Sequence, residues 1–272
     1  MDWLESIFYG LIYGLTEFLP VSVQAHEALL LKIFAVSPTP LLHLAVRGAV
    51  LVALYQNCAE HIGQMFRERK LIRIPPRSRK RQPDMVKVLD FRFLRTVTIV
   101  MILGFFAYPM LAQWRNDLHM IAPVLVVNGL ILYIPMHMAT GNKDSRSMSQ
   151  LDALLVGLMG ALAVIPGISR MAILVAACII RGAGREQSVQ WTMLLTIPSL
   201  LILVGFDCYY LLTDGIGAIS IISVVLAAVA AYGGAYSGIR SMQFLAVKAG
   251  FSCFAYYSWG AALFALILFL IV

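Results

Sequence analysis

Charge is scarce in this sequence. Asp, Glu, Lys and Arg make up 13% of its 272 residues, about half their share in an ordinary soluble domain, while apolar residues reach 60% and the mean hydropathy is +0.83. So few charged groups cannot cover a globular surface in water, which excludes a soluble domain and leaves an integral membrane protein. Cysteine is scarce too. Cys58, Cys178, Cys208 and Cys253 are scattered without metal-type spacing, and three of them fall inside apolar segments, so buried structural thiols are expected and a zinc module is not. Long polar connections are missing, with one exception between Asn57 and Phe93. Its basic core, 67–81, has no aromatic residues between its charges. Nucleic acid is therefore not the expected partner; a solvated segment that sets topology and touches anionic headgroups is.

What the sequence does have is apolar runs of bilayer length. They lie at 40–56, 94–113, 120–138, 190–212, 216–238 and 249–271, each roughly 17–23 residues and long enough to cross as a helix. Two further stretches, 4–36 and 150–182, are too long for one crossing and are broken near the middle by Pro20 and by Pro166-Gly167. A proline removes a backbone donor and clashes with the preceding turn, so each stretch is expected to form two half-helices in a re-entrant hairpin.

The positive-inside rule puts loop 57–93, with Arg67, Arg69, Lys70, Arg73 and the basic residues that follow, on the cytoplasmic side. Threading outward from it, the first hairpin enters from the outer face and the second from the cytoplasmic face, each followed by three spans. The expected fold is an all-α membrane protein of six transmembrane helices and two hairpins in an inverted-topology repeat: a single membrane domain 1–272, with repeats at 1–138 and 150–272. Weak internal similarity agrees, since Gly14 precedes Pro20 by the same interval at which Gly160 precedes Pro166, and Ser22 and Ser169 follow shortly after each proline.

Ionisable residues at hydrocarbon depth cost a few kcal/mol each and mark functional candidates. Here they are Glu17, His26, Glu27, Lys32, His43, Arg47, Arg170 and Asp207. Ser22 stands where the second half-helix of the first hairpin should begin, with His26 on the same face, and Ser169-Arg170 opens the matching half-helix of the second. Two helix N-termini would then meet near the centre of the protein, each with unpaired N–H groups and the positive end of a dipole. Such a pocket wants an anion. Arg170 adds a planar fork suited to phosphate oxygens, Glu17 suits a divalent cation or acid/base work, and His26 can move protons near neutral pH or attack phosphorus. Arg47 has Glu17 or Glu27 as expected partners, and Asp207, near the end of its span, is read as interfacial.

At these residues the sequence resembles the undecaprenyl-pyrophosphate phosphatase family, the bacitracin-resistance proteins that recycle the lipid carrier of bacterial wall synthesis. The family's first motif, E-G-x-T-E-F-L-P-x-S-S-x-x-H, is matched by "YGLTEFLPVSVQAH" at 13–26, and its second, P-G-x-S-R-S-G, by "PGISRMA" at 166–172. "GREQSVQWTMLLTIPSLL" resembles the segment that follows. The resemblance implies a multi-pass protein of the bacterial inner membrane, a homodimer, a Mg²⁺ or Ca²⁺ requirement and hydrolysis of the terminal phosphate of a polyprenyl diphosphate. It makes Glu17, Ser22, His26 and Arg170 the catalytic candidates, Ser22, Gly167, Ser169 and Arg170 the phosphate-binding set, and Glu17 the metal ligand. It also exposes departures: Tyr13 stands where the family has a glutamate, Val23 where it has a second serine, Met171-Ala172 where it has Ser-Gly, and Ser258 where it usually has an arginine. Tyr13, Glu27 and Arg47 are secondary candidates. The substitutions raise a competing expectation, a lipid-phosphate carrier or flippase that keeps the anion pocket without hydrolysis.

Overall fold

The computed structural model describes residues 2–35, 38–138, 141–248 and 251–271, and among them ten α-helices and no strand beyond one bridge, Lys143 to Ala183. They are α1 Trp3–Phe18, α2 Val23–Phe34, α3 Pro40–Arg73, α4 Met85–Phe105, α5 Leu118–Met136, α6 Gln150–Ala161, α7 Arg170–Ile180, α8 Arg185–Asp214, α9 Ile221–Lys248 and α10 Ser252–Ile271. Five of these, α3, α5, α8, α9 and α10, are long and apolar enough to cross a membrane. The expected sixth, α4, is not among them. Lys87, Asp90, Arg92 and Arg95 load its first half, and it ends at Phe105, short of Pro109, which could not continue it.

Other boundaries also moved. α3 runs on through Arg73 and α4 starts at Met85, so most of the connection read as a loop at 57–93 is helix, and α8 and α9 each extend beyond the apolar runs 190–212 and 216–238. Charged residues at headgroup depth continue a helix beyond its apolar stretch, and hydropathy trims them off. The basic segment is folded back on α3 by one carboxylate. Glu68 accepts from both Arg81 terminal nitrogens and from the Asp84 backbone N–H (2.9 Å), while Arg79 donates to the carbonyls of Ile72 and Ile74 at 2.7 Å each.

Each of the two broken segments forms two helices that meet at its break. Each first arm starts with a capping box, Asp2 with Glu5 in α1 and Ser149 with Asp152 in α6, which satisfies two otherwise orphaned N–H groups at once. Each second arm starts with a serine N-cap: Ser22 Oγ accepts from Ala25 N at 3.2 Å and Ser169 Oγ from Ala172 N at 3.3 Å. At the second break Gly167 has φ +100°, and a Cβ there would lie 2.8 Å from the Val124 side chain, so both backbone and space demand glycine.

Packing follows from small residues. α1 lies against α9, α6 against α4, α3 against α8 and α9, and α10 against α5, with α7 enclosed by α5, α6 and α8. In the first of these contacts a Cβ added at Gly10 or Gly14 would fall 2.1 Å from the carbonyl oxygen of Ala227 or Ala231, so the backbones touch. In a membrane, where lipid is as apolar as leucine, such close van der Waals approach is what holds helices together. Of the cysteines, Cys58 and Cys178 are buried as expected, whereas Cys208 and Cys253 are exposed. An apolar run in a membrane helix has a lipid side as well as a core side, and composition does not tell them apart.

Candidate functional site at the hairpin tips

The tips meet. Arg170, first residue of α7, donates from Nη1 to Glu17 Oε1 at 2.7 Å, joining the end of α1 to the start of α7 across the molecule. The Arg170 side chain is 9% exposed and that of Glu17 1%, so the pair is shielded from water and each charge depends on the other. Neither group is saturated: Glu17 Oε2 and Arg170 Nε are buried without hydrogen-bond partners.

Around the pair the backbone is fixed by neutral polar side chains. The Ser169 N–H donates to Asn128 Oδ1 at 2.8 Å, and Asn128 Nδ2 donates to Ser258 Oγ at 3.1 Å, tying the tip of the second hairpin to α5 and α10. His26 lies one turn into α2, its Nδ1 donating to the Ser22 carbonyl at 2.7 Å and its Nε2 2.6 Å from the Tyr257 hydroxyl. Ser22 and Ser169 are both buried. The Glu17–Arg170 pair joins the two hairpins, α7 begins with Arg170 behind its serine cap, and Ser22 and His26 open α2 shortly after Glu17; a guanidinium at a helix N-terminus is chemistry suited to a phosphate group.

The secondary candidates sit in a neighbouring cluster. Tyr13 accepts from Arg47 Nε at 2.8 Å, and Arg47 Nη1 pairs with Asp207 at 2.5 Å, not with Glu17 or Glu27 as expected. Asp207 is buried, at 5% exposure, which corrects its reading as an interfacial residue. Its position in α8 brings it against α3, and a cation buried on α3 requires an acidic partner there. Glu27 accepts from Tyr9 at 2.6 Å and lies 3.4 Å from His43 Nδ1. Sequence reasoning missed Tyr9 and Asn128 as site neighbours, although a lone Asn in the run 120–138 carried the same signal of costly polarity as the residues that were singled out.

The family model described as Bacitracin resistance protein BacA matches residues 6–264. The chain belongs to the BacA family. Relatives of this BacA chain are named undecaprenyl-diphosphatase: one from Alkaliphilus metalliredigens is 26% identical over 263 residues, covering 95% of this chain and 96% of the relative. One from Halothermothrix orenii is 24% identical over 273 residues, with 98% of each covered. One from Carboxydothermus hydrogenoformans is 28% identical over 267 residues, with 95% and 94% covered. At these identities the departures at Tyr13 and Val23 belong to a divergent BacA chain, and the structure shows what fills the first position. Tyr13 offers a hydroxyl to Arg47 where the motif has a carboxylate, and Asp207 supplies the negative charge.

A divalent cation finds little in the protein itself. Among the described residues no three His, Cys, Asp or Glu side chains come together, and the carboxylate oxygen left free at the tips is Glu17 Oε2. A hard cation that favours oxygen ligands fits there only with most of its ligands drawn from phosphate and water.

Proposed function

We propose that this protein is a polyprenyl-diphosphate phosphatase that regenerates the monophosphate lipid carrier, as the names of its relatives suggest. The observation that carries the reading is the buried Glu17–Arg170 pair at 2.7 Å, which links the end of α1 to the serine-capped start of α7. Water adds to the terminal phosphorus, the anhydride P–O bond breaks, and inorganic phosphate leaves with prenyl monophosphate retained by the membrane. Arg170 and the N–H groups of α2 and α7 bind the phosphates and offset charge that grows in the transition state. His26 takes or returns the proton, and Ser22, whose Oγ accepts from Ala25 N, orients phosphate. Mg²⁺ or Ca²⁺, held by Glu17 Oε2 together with the diphosphate, would supply charge neutralisation.

The finer architecture belongs to the same reading: six spans, with α4 as the sixth, two re-entrant hairpins open to opposite faces, and a homodimer in the bacterial inner membrane. The pairing of α1 with α9 and of α6 with α4 supports the inverted repeat, because exchanging the two halves turns one contact into the other.

A second reading is a lipid-phosphate carrier without hydrolysis. It is favoured by two observations: Glu17 and Arg170 neutralise each other, and Val23 offers no hydroxyl. Phosphate release from undecaprenyl or farnesyl diphosphate by detergent-purified protein, with and without Mg²⁺ or Ca²⁺ and with an Arg170→Ala control, separates the two. Metal-stimulated release lost in the control supports the phosphatase. No release with any metal, alongside retained binding of farnesyl monophosphate, leaves the carrier.

A further inference from the structure

His26 is not free to act as it stands. A carbonyl oxygen only accepts, so the 2.7 Å contact to Ser22 O places a proton on Nδ1, and in the neutral ring Nε2 is then the acceptor. That lone pair is taken by the Tyr257 hydroxyl of α10 at 2.6 Å, and the two rings are stacked, 5.6 Å between centroids with 3° between planes. The one nitrogen of His26 able to receive a proton is therefore capped by a residue outside both family motifs.

Below this cap lies an apolar groove of about 420 Å³ between α1, α2 and α10. His26 and Tyr257 form its polar end, and Ile12, Leu30, Ile33, Gly260 and Phe264 are among its walls. Its size is that of a ligand pocket, and its only polar feature is the imidazole–phenol pair. Ile33 and Tyr257 are half exposed, at 53% and 49%, so the groove opens to the side, where lipid lies. A Cβ added at Gly260 would meet nothing within 4 Å, so space remains along that wall.

We propose that Tyr257 is a positioning residue for His26, and that the groove takes the first isoprene units of the lipid whose phosphate sits at the hairpin tips. The second half rests on the lipid-phosphate reading above; the first does not. Tyr257 supports the Nδ1–H tautomer that the Ser22 carbonyl sets and keeps Nε2 covered while no lipid is bound. A prenyl chain lying in the groove reaches the polar end at Tyr257 and displaces its hydroxyl from Nε2, so that a proton donor on the headgroup or its attacking water takes that place. The base is uncovered by the ligand that needs it.

Carbethoxylation of His26 by diethyl pyrocarbonate, followed by peptide mass mapping of the detergent-purified full chain at pH 7, reads the cap without requiring turnover. Tyr257→Phe keeps the ring and removes the hydrogen bond, and His26 should react about fivefold faster, the factor that one ordinary hydrogen bond is worth. Equal rates in the two proteins overturn the cap. Farnesyl monophosphate should protect His26 in Tyr257→Phe, inorganic phosphate at the same concentration should not, and Gly260→Leu, which fills the open wall, should remove the protection. Protection by inorganic phosphate alone, or protection that survives Gly260→Leu, overturns the groove. Faster reaction in Tyr257→Phe with no protection by farnesyl monophosphate keeps the cap and removes the groove, and phosphate release from farnesyl diphosphate by the same preparation shows whether the lipid-phosphate reading stands without it. Should Tyr257→Phe fail to fold, Gly260→Leu in the native background tests the groove by the same protection assay.

Discussion

The two hairpins share a plan and differ in what surrounds them. Both begin with a capping box, break at a proline and resume at a serine N-cap. Yet α7 is buried along nearly its whole length, Met171 to Ile179, whereas α2 buries only one face and leaves Lys32 and Ile33 exposed. The second hairpin is thus a fixed post that presents one guanidinium, held by Asn128 at its tip and by Asp152, which accepts from Arg181 at 2.6 Å, at its base. The first carries the groups with choices of partner and faces the lipid side. Repetition of a backbone motif does not repeat its burial: one copy sets Arg170 at the start of an enclosed helix, while the other leaves His26 half-buried with Tyr257 as its partner.

Substitutions at the tips test that division, beginning with the largest effect. Arg170→Ala leaves Glu17 as a lone buried carboxylate, and should cost about 3–5 kcal/mol in detergent melting along with all binding of farnesyl monophosphate. A wild-type melting temperature would show that the post carries no charge burden. Glu17→Gln should go the other way on binding: it frees Arg170, so affinity for farnesyl monophosphate rises even as any phosphate release is lost, and weaker binding would contradict the assignment of Arg170 as the phosphate holder. Gly167→Ala, which meets both a positive φ and the Val124 side chain, should destabilise by about 1–3 kcal/mol, as strained non-glycine positions do. A neutral result would mean that the second break is as loose as the first. Smallest are the caps: Ser22→Ala and Ser169→Ala should each cost about 1 kcal/mol. Because the Ser169 N–H keeps its bond to Asn128 while Ser22 is backed only by its own helix, Ser22→Ala should show the faster amide exchange across its first turn; equal exchange would erase the contrast.

Much of this was legible in the sequence because membrane chemistry penalises polar groups so heavily. Pro20 and Pro166 marked the breaks, Ser22 and Ser169 the caps, and Glu17, His26 and Arg170 the polar groups whose burial is costly. Partner choice was not legible. Arg47 had Glu17 and Glu27 as expected partners, and its pairing with Asp207 instead depends on how α3 packs against α8, which local pattern does not encode. Helix ends were misread for another reason: α3 continues past its apolar run on charged residues that hydropathy treats as loop. Tyr257 was invisible because an aromatic residue in α10 has the same composition signal whether it faces lipid or a histidine.

A double-mutant cycle at the tips bears most directly on the claim that both hairpins build one site. Glu17→Gln, Arg170→Gln and the double variant are melted in detergent under identical conditions. Coupling of the buried pair requires the double variant to lose less than the two single losses added together, by about 1 kcal/mol or more. Strict additivity would mean that Glu17 and Arg170 stand apart, and the shared phosphate site would go with them.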